Sequence, residues 1–329
     1  MRRILVIRYG GFGDLILSMG AFRSIRAHHA DDHVALLTMA RFADLMRPSN
    51  YFDEILIDDR PGFSQALEWL RLARLLRSRG FDRVYDLQRN HRTALLYRVI
   101  GAGRKIEWSG VIRGASHFVR DDPDDRRHIT ARLAEQLAVA GVTQMVPPDL
   151  SWLRGGPAKF GLPREYALVV SGGAPHRPEK RAPVEVFASL CRYLQTRGIA
   201  PVLLGTADER AHIDEILAAS PGAIDLSDRT GFGDLADLAQ GAVGAVGNDT
   251  GPMHLAAAVG CPSLVLFTQA SDPKRVQPLG PQVRVLQSSA PGGLVAEAVI
   301  AAWQELIARP VGASNPRRPG ISTPAARQR

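Results

Sequence analysis

The sequence predicts an α/β protein with two domains, each built on a parallel sheet. Short apolar runs alternate with longer stretches of helical periodicity along most of the chain, an order typical of parallel strands covered by helices on both faces. The chain has 329 residues, of which 45% are hydrophobic, enough for two filled cores. The Pro- and Gly-rich stretch 144–164 separates the two alternating halves. We expect it to be the linker, with the domain boundary near residue 155.

The expected elements follow from these apolar runs and their periodicity. The strands of the first half are Arg3–Arg8, Val34–Thr38, Glu54–Ile57 and Arg83–Asp86, and its helical patterns are Asp14–His28 and Phe63–Arg79. The strands of the second half are Tyr166–Ser171, Pro201–Gly205, Ala223–Leu226, Ala242–Gly247 and Ser263–Phe267. Its helices are Pro183–Arg197, Asp208–Ala219, Asp234–Gln240, Pro252–Val259 and Val295–Ala308.

Composition narrows the class of protein. The net charge is +8, and five of these charges are arginines in 309–329, a stretch without acidic residues that we expect to be a disordered basic tail. Such a tail could bind nucleic acid, attract an anionic membrane surface or stay solvated. The chain has no apolar run of 18 residues, so no transmembrane helix is expected. The two cysteines lack metal-type spacing and fit a reducing cytoplasm.

The most distinctive turn has the sequence GNDTGPMH and lies between an expected strand and an Ala-rich helix. Pro252 suits the first helical position. The backbone N–H groups of Thr250 and Gly251 then point out of the helix N-terminus, which carries partial positive charge and binds phosphate. Two side chains that can contact a ligand flank this turn, namely Asp249 and His254. The alternative is a well-capped helix that binds nothing.

A second turn, RYGGFGD at residues 8–14, follows the first strand. It is not a dinucleotide fingerprint, because Ile16 occupies the position of the third glycine after Gly11 and Gly13, and no P-loop signature follows. Asp14 is expected at the carboxyl end of a parallel sheet, where such folds bind ligands. There it can take a proton from a hydroxyl, or it can simply cap the helix.

Two further turns end strands of the second half. Lys180 lies in PEKRAP, and a lysine there suits a diphosphate leaving group, although an exposed basic loop is the alternative. Asp208 and Glu209 lie in GTADER, where an acid can accept hydrogen bonds from ribose hydroxyls or cap a helix.

The pentapeptide GFGDL occurs at 11–15 and at 231–235, which we interpret as similar turn chemistry. The clusters 28–33 and 121–125 are interpreted as a helix end and a solvated loop, so no metal site is expected.

Together these motifs resemble glycosyltransferase family 9, the heptosyltransferases of lipopolysaccharide core assembly. Matching segments occur in order at Arg8 to Asp14, at Asp86-Leu87-Gln88 and Arg92 leading to Trp108-Ser109-Gly110, at Lys180 to Pro183 and at Asp249 to His254. The resemblance covers most of 1–290 and implies a GT-B fold, with two Rossmann-like domains facing a cleft and no metal requirement. The stretch Thr268 to Pro273 departs from the family pattern, which has a Gly-led turn there.

The resemblance also implies roles for individual residues. Asp14 would deprotonate the acceptor hydroxyl, and Lys180 would contact the donor diphosphate. The donor site would comprise Asp249, Thr250, Gly251, His254 and the backbone of Met253, with Asp208 or Glu209 contacting ribose. Residues 1–155 would bind the acceptor and residues 156–308 the nucleotide sugar.

The function expected from the resemblance is inverting transfer of heptose from ADP-heptose to a lipopolysaccharide core or related glycan, by a cytoplasmic monomer without a cofactor. Because the expected acceptor is an anionic glycolipid, the enzyme surface that binds it should be basic. The lipid anchor of such an acceptor implies that the enzyme acts at the inner membrane face. Candidate arginines at or near expected strand ends are Arg8, Arg60, Arg89 and Arg92. The alternatives are another GT-B nucleotide-sugar enzyme, such as a hydrolysing epimerase, and nucleic-acid binding by the tail. The latter leaves the four turns unexplained, so no nucleic-acid partner is expected.

Overall fold

The computed structural model describes residues 1–58, 60–62, 64–101, 105–173, 177–288, 290 and 292–308. It confirms the expected α/β class, because the described residues form two six-stranded sheets in which neighbouring strands pair in parallel. None of the described helices has the length and apolarity to cross a lipid bilayer. The tail expected at 309–329 lies outside the described residues.

The first sheet is formed by β1 (Arg3–Ile7), β2 (His33–Thr38), β3 (Glu54–Ile57), β4 (Arg83–Asp86), β5 (Glu107–Gly110) and β6 (His117–Phe118). Its order is β3-β2-β1-β4-β5-β6. The helices of this half are α1 (Phe12–Leu17), α2 (Met19–His28), α3 (Ala40–Met46), α4 (Ala66–Ser78), α5 (His91–Gly101) and α6 (Ile129–Val139).

The second sheet is formed by β7 (Tyr166–Val170), β8 (Ala200–Leu203), β9 (Ile224–Asp225), β10 (Gly244–Asn248), β11 (Ser263–Phe267) and β12 (Val283–Gln287). Its order is β12-β11-β10-β7-β8-β9. The helices are α7 (Val184–Thr196), α8 (Arg210–Ala219), α9 (Phe232–Gly241), α10 (Gly251–Ala258), α11 (Pro273–Val276) and α12 (Ala296–Ala308). Short 3₁₀ helices span Arg47–Ser49, Pro157–Phe160, Pro178–Lys180 and Ala207–Glu209.

Both sheets have the Rossmann strand order. In each, the chain reverses direction across the sheet between the first and fourth strands, which are β1 and β4 in one half and β7 and β10 in the other. Ligands of such folds bind outside the carboxyl ends of the strands at this reversal. The residues that follow these four strands are therefore the ones positioned to form a site.

The expected elements agree closely with the observed ones. Three strands have the expected bounds, namely Glu54–Ile57, Arg83–Asp86 and Ser263–Phe267. The helix expected over Asp14–His28 is instead divided at Ser18. The Ser18 hydroxyl donates to the Asp14 carbonyl at 2.7 Å, a bond to the preceding turn that often bends helices.

The two halves pack directly against each other through the first turns of α1 and α10. A Cβ atom built on Gly13 would lie 2.6 Å from His254 Cδ2, and one built on Gly251 would lie 2.4 Å from Phe12 Cδ1. The Phe12 ring also contacts the Phe232 ring of α9, with centroids 4.8 Å apart. Glycine is thus required at both positions, because a side chain at either would separate the two helices.

The linker contacts each half in turn. The Tyr51 hydroxyl donates to the Asp149 carbonyl at 2.6 Å, so this part of the linker is held by the first half. The Gly156 N–H donates to Asp234 Oδ1 of α9 at 3.0 Å. The domain boundary near residue 155 and the ligand assigned to each half stay predictions.

Candidate active site between the two sheets

The candidate site lies where the turn after β1 meets the turn after β10. Asp14 is the third residue of α1, and Gly13 beside it packs on the His254 ring of α10. The sequence motifs that contain Asp14 and Asp249 are thus brought together, although 235 residues separate them along the chain.

Asp14 is held in place and remains half exposed. Its Oδ2 accepts a hydrogen bond from the Gly11 N–H at 2.9 Å, and its Oδ1 lies 3.3 Å from Arg8 Nη2, with 50% of the Asp14 side chain exposed. Both interpretations of Asp14 therefore hold geometrically. The carboxylate caps α1 and also faces solvent, where it could meet an acceptor hydroxyl.

Arg8 lies beneath Asp14 and not on an open wall. Its guanidinium is 5% exposed and donates to the Leu87 carbonyl at 2.5 Å. Burial lowers the pKa of Arg8, although the Asp14 and Asp86 carboxylates oppose this effect, and an arginine stays charged in proteins. Its Nη1 and Nη2 hold the β4 end and Asp14, and the acceptor contact expected of Arg8 stays a prediction.

Gln88 supports the same turn, and sequence reasoning gave it no role. Its Oε1 accepts hydrogen bonds from the backbone N–H groups of Tyr9 at 2.8 Å and Gly10 at 2.9 Å. Gly10 has φ +41°, a value that favours glycine. The role of Gln88 could have been inferred from the pairing of β1 with β4, because the residues that follow two neighbouring parallel strands lie side by side.

Asp86 anchors Gln88 from below. Its Oδ1 accepts from the backbone N–H groups of Gln88 and Arg89, both at 3.1 Å. The side chain is fully buried, and burial raises the pKa of Asp86 to about 6. A carboxyl group of this kind stabilises the turn after β4 while remaining close to neutral at mildly acidic pH.

The other arginines expected on an acceptor wall are placed differently from one another. Arg92 lies in the first turn of α5 and not in a loop; it donates to both oxygens of the buried Asp58, at 2.6 and 3.0 Å. Arg89 is mostly buried and donates to Asp121 at 2.8 Å. Arg60 is exposed. Of the four arginines, Arg60 has the guanidinium most accessible to a ligand.

Lys180, Asp249 and His254 form a connected group on the second half. Lys180 Nζ donates to Asp249 Oδ2 at 2.8 Å, and His254 Nε2 lies 3.5 Å from Asp249 Oδ1. Burial alone would raise the pKa of Asp249, but the contacts with His254 and Lys180 outweigh it and hold this pKa below its usual value. The three side chains are thus connected through Asp249, and their joint role in a donor site stays a prediction.

Thr250 and Gly251 begin α10, which starts one residue before the expected first helical position at Pro252. Thr250 is the N-cap and Gly251 the first helical residue, positions whose N–H groups have no partner inside a helix. The Met253 N–H, in contrast, donates to the Thr250 carbonyl at 3.1 Å, and the Met253 side chain is fully buried. The Met253 N–H is thus already used within the first turn of α10, and the phosphate contacts expected of Thr250, Gly251 and Met253 stay predictions.

Asn248 organises this turn and was also missed as a functional residue. Its Nδ2 donates to the carbonyls of Ser171 at 2.6 Å and Gly172 at 3.0 Å, and its Oδ1 accepts from the Ala182 N–H at 3.0 Å. It thereby joins the ends of β7 and β10 to the start of α7. A polar residue at the end of a buried strand was the signal in the sequence.

Glu209, and not Asp208, contacts the turn after β7. Its Oε1 accepts from the Gly173 N–H at 2.6 Å, and its Oε2 accepts from the Thr206 N–H at 2.8 Å. A Cβ atom on Gly172 would lie 1.7 Å from Glu209 Oε1, so the carboxylate requires a glycine there. Asp208 is exposed. Glu209 therefore makes the helix-capping contact, and the ribose contact expected of Asp208 or Glu209 stays a prediction.

The described residues contain no group of three or more His, Cys, Asp or Glu side chains placed to hold a metal ion. Positive charge at the site is supplied by Lys180 and by the N-terminus of α10. The two are adjacent because Asp249, which binds Lys180, directly precedes Thr250.

Comparison with known proteins extends these observations. Residues 69–293 match the model of a family described as Glycosyltransferase family 9 (heptosyltransferase). Lipopolysaccharide heptosyltransferase 2 of Escherichia coli K12 is 26% identical over 308 residues, covering 87% of this chain and 88% of the relative.

Two solved structures are similar over almost their whole length. The glycosyl transferase family 9 structure from Veillonella parvula DSM 2008 has a TM-score of 0.78 at 21% identity and covers 93% of this chain and 97% of that one. The structure of Escherichia coli ADP-heptose lps heptosyltransferase II has a TM-score of 0.74 at 22% identity, with 93% and 98% covered. These likenesses confirm the expected GT-B fold.

Proposed function

Because the family model matches 69–293, the chain belongs to glycosyltransferase family 9, and we propose that it transfers heptose from ADP-heptose to a lipopolysaccharide core acceptor. The observation that carries the proposal is the contact between two turns of opposite chemistry. A half-exposed carboxylate, Asp14, lies in the first turn of α1. The first turn of α10, which follows Asp249 and its partner Lys180, packs against the first turn of α1. The relatives named for heptosyl transfer and for ADP-heptose support the choice of donor.

We infer a single displacement at the anomeric carbon. The acceptor oxygen forms a bond to this carbon while the bond to the diphosphate oxygen breaks, and its electron pair leaves with ADP. Asp14 takes the proton of the acceptor hydroxyl, a role that typically contributes about 10²–10⁴ in rate. Because the base and the diphosphate-binding groups belong to opposite halves, attack comes from the face opposite the nucleotide and inverts the configuration.

The diphosphate is assigned to Lys180 and to the N–H groups of Thr250 and Gly251. A lysine and a helix N-terminus both stabilise negative charge as it develops on the leaving group. We therefore propose that turnover needs neither a metal nor a cofactor. Glu209 is the better candidate for the ribose contact, because it already lies against the turn after β7, whereas Asp208 is exposed.

The acceptor is assigned to the first half. Arg60, with its exposed guanidinium, is the proposed contact for acceptor anions. Arg8, Arg89 and Arg92 are proposed to act indirectly, since their guanidinium groups hold Asp14, Asp121 and Asp58. We further propose that the enzyme acts as a monomer on the cytoplasmic side and contacts the inner membrane face through its lipid-anchored acceptor.

The test compares Asp14→Asn with Asp234→Asn. Asp234 lies in the second GFGDL copy and accepts from the Gly231 N–H at 2.9 Å, which matches the bond from Gly11 to Asp14. Asparagine keeps an acceptor oxygen for the cap but cannot take a proton. Asp14→Asn should therefore lose roughly 10²–10⁴ in kcat with unchanged ADP affinity, whereas Asp234→Asn should keep kcat.

Both variants are assayed with ADP-heptose and a core acceptor, without divalent metal, and the products are identified by mass spectrometry. Wild-type-like turnover of Asp14→Asn would remove Asp14 from the base role. Release or isomerisation of the sugar without an acceptor would favour a hydrolysing epimerase. Loss of wild-type activity on addition of a chelator would contradict metal independence.

A further inference from the structure

Helix α4 exposes two neighbouring leucines on its outer side. Leu67 and Leu70 are 60% and 64% exposed, and among the large hydrophobic side chains of the described residues only Met1 exceeds them. The opposite side of α4 is buried in the core of the first half, through Trp69 and Leu76 among others. Residues three positions apart lie next to each other on a helix surface, so the two leucines form one apolar patch. The core does not use this patch, which therefore indicates a contact surface.

Three arginines lie on the same side of α4 as the leucines. Arg71, Arg74 and Arg77 are exposed, and each follows one of the leucines by four or seven residues, the spacing of neighbours along one helix face. The acidic residue of α4 is Glu68, which contacts Arg71 at 2.6 Å. The outer face of α4, by which we mean the two leucines and the three arginines, is therefore both apolar and basic.

Helix α5 extends this basic surface. It lies beside α4, because Arg77 Nη1 donates to the Val99 carbonyl of α5 at 3.2 Å. Arg98 of α5 is exposed, and the sequence of α5 contains no aspartate or glutamate. The outer layer of the first half thus presents positive charge on two adjacent helices.

The leucine end of α4 lies close to the candidate site. Helix α4 connects β3 to β4 in a parallel sheet, so its first turn lies at the edge where ligands of such folds bind. There the Arg92 guanidinium packs on the Trp69 ring, 4.2 Å from its centroid. Arg92 also binds Asp58 and lies 5.9 Å from the centroid of the Tyr9 ring. Because Tyr9 belongs to the turn that carries Asp14, a surface seated on the two leucines lies close to the proposed base.

We propose that the outer face of α4 docks on an anionic lipid bilayer, with Leu67 and Leu70 inserted among the headgroups and the arginines against the lipid phosphates. Leucines flanked by arginines along one helix are typical of helices that lie in the plane of a membrane surface. A protein partner would need carboxylates at matching positions, whereas an anionic bilayer complements arginines spread over two helices without such matching. The lipid anchor of the acceptor also supports a bilayer, and this argument rests on the proposed function.

The first test measures cosedimentation of the full chain with vesicles. Vesicles of phosphatidylglycerol and phosphatidylcholine in equal parts should bind the protein at least about tenfold more tightly than vesicles of phosphatidylcholine alone, because each arginine near an anionic surface strengthens binding about fivefold. Added salt should weaken this binding. Equal binding to the two kinds of vesicle, or binding to neither, would overturn the proposal.

A pair of leucine substitutions locates the apolar part of the contact. Leu67→Gln with Leu70→Gln should weaken binding to the anionic vesicles at least about tenfold through lost apolar burial. The control, Val139→Gln with Val295→Gln, makes a similar change at side chains that are 50% and 51% exposed on other elements, and it should leave binding unchanged. Leucine-dependent dimers in sedimentation velocity would assign the patch to a second copy of the chain and overturn docking on a bilayer.

A pair of arginine substitutions locates the charged part. Arg71→Gln with Arg74→Gln should weaken binding at least about tenfold, whereas Arg47→Gln with Arg164→Gln, at exposed positions away from α4, should not. Binding that survives both α4 variants would locate the contact elsewhere, for example in the five arginines of 309–329, and overturn the proposal. Loss in the arginine variant alone would overturn the insertion of the leucines.

Transfer assays separate docking from catalysis. With a core acceptor that lacks its lipid, Leu67→Gln with Leu70→Gln should keep the wild-type kcat and KM, because neither leucine contacts the candidate site. With the same acceptor anchored in anionic vesicles, its KM should rise at least about fivefold, and an unchanged KM would overturn the role of docking. Absence of transfer by wild type to either acceptor would count against the proposed function, whereas the vesicle-binding result needs no substrate, so the two failures are distinguishable.

Discussion

Replacing Gln88 by alanine should misplace Asp14, the proposed catalytic base, without touching either substrate. The substitution removes the acceptor for the N–H groups of Tyr9 and Gly10. Two such bonds contribute about 1–3 kcal/mol to the free energy of unfolding, at about 0.5–1.5 kcal/mol each. Because Asp14 is held by Gly11, the next residue of this turn, a loosened turn moves its carboxylate. A displacement near 1 Å can cost roughly 10²-fold in rate.

The assay is steady-state release of ADP from ADP-heptose in the presence of acceptor, together with calorimetric measurement of ADP affinity. We expect kcat to fall about 10–100-fold while the Kd for ADP is unchanged. Gln88→Glu keeps an acceptor oxygen and should recover most of kcat. Gln304→Ala, which removes a surface bond to Tyr193, is the matched control.

A merely structural role for Gln88 would give a different pattern. Gln88→Ala would then lower the melting temperature with no effect on kcat at a temperature where the variant is folded. An equal loss of kcat in Gln304→Ala, or a raised Kd for ADP in Gln88→Ala, would also refute the reasoning.

Three further predictions concern the donor charge, the contact between the halves and a buried carboxyl group. Lys180→Met should raise the Kd for ADP roughly tenfold or more, since a charge-assisted bond contributes about 1.5–3 kcal/mol. The Kd is measured by calorimetry, and the control variant Lys159→Met should leave it unchanged. Gly13→Ala should lower the free energy of unfolding by about 1–3 kcal/mol through overpacking, whereas Gly101→Ala, with nothing within 4 Å of its added Cβ, should be neutral in urea denaturation. The raised pKa of Asp86, about 6, means that the folded state binds its proton more tightly than the unfolded chain. Stability from this group is present below pH 4 and is lost as the pH rises through 6, so wild type should lose roughly 2–3 kcal/mol relative to Asp86→Asn over that window.

The fold was predictable where burial dictates composition. Strands such as β11 (Ser263–Phe267) are buried on both faces and therefore read as continuous apolar runs. Strand β5 (Glu107–Gly110, EWSG) and strand β12 (Val283–Gln287, VRVLQ) were not predicted. They are short or partly exposed, and their conformation is fixed by pairing with neighbouring strands.

The candidate site was predictable where a motif is local. The residues from Asp249 to His254 form one strand-to-helix turn, so their chemistry could be inferred from spacing. The burial and ion pairing of the arginines could not be predicted from the sequence, because they depend on partners that are distant along the chain. Arg92 is neutralised by Asp58, 34 residues away, and the support of Tyr9 by Gln88 follows from the pairing of Ile7 with Asp86.

The repeated pentapeptide shows why local chemistry and function separate. Both copies of GFGDL begin a helix, and in both the aspartate accepts from its own glycine N–H at 2.9 Å, which confirms the prediction of similar turn chemistry. The surroundings then diverge: Asp234 is nearly buried against Lys159, whereas Asp14 stays half exposed above Arg8. An aspartate satisfied by a lysine and by the Gly156 N–H has no access to a substrate hydroxyl. The difference between a structural cap and a candidate base is therefore set by what packs around the turn, which the five shared residues do not encode.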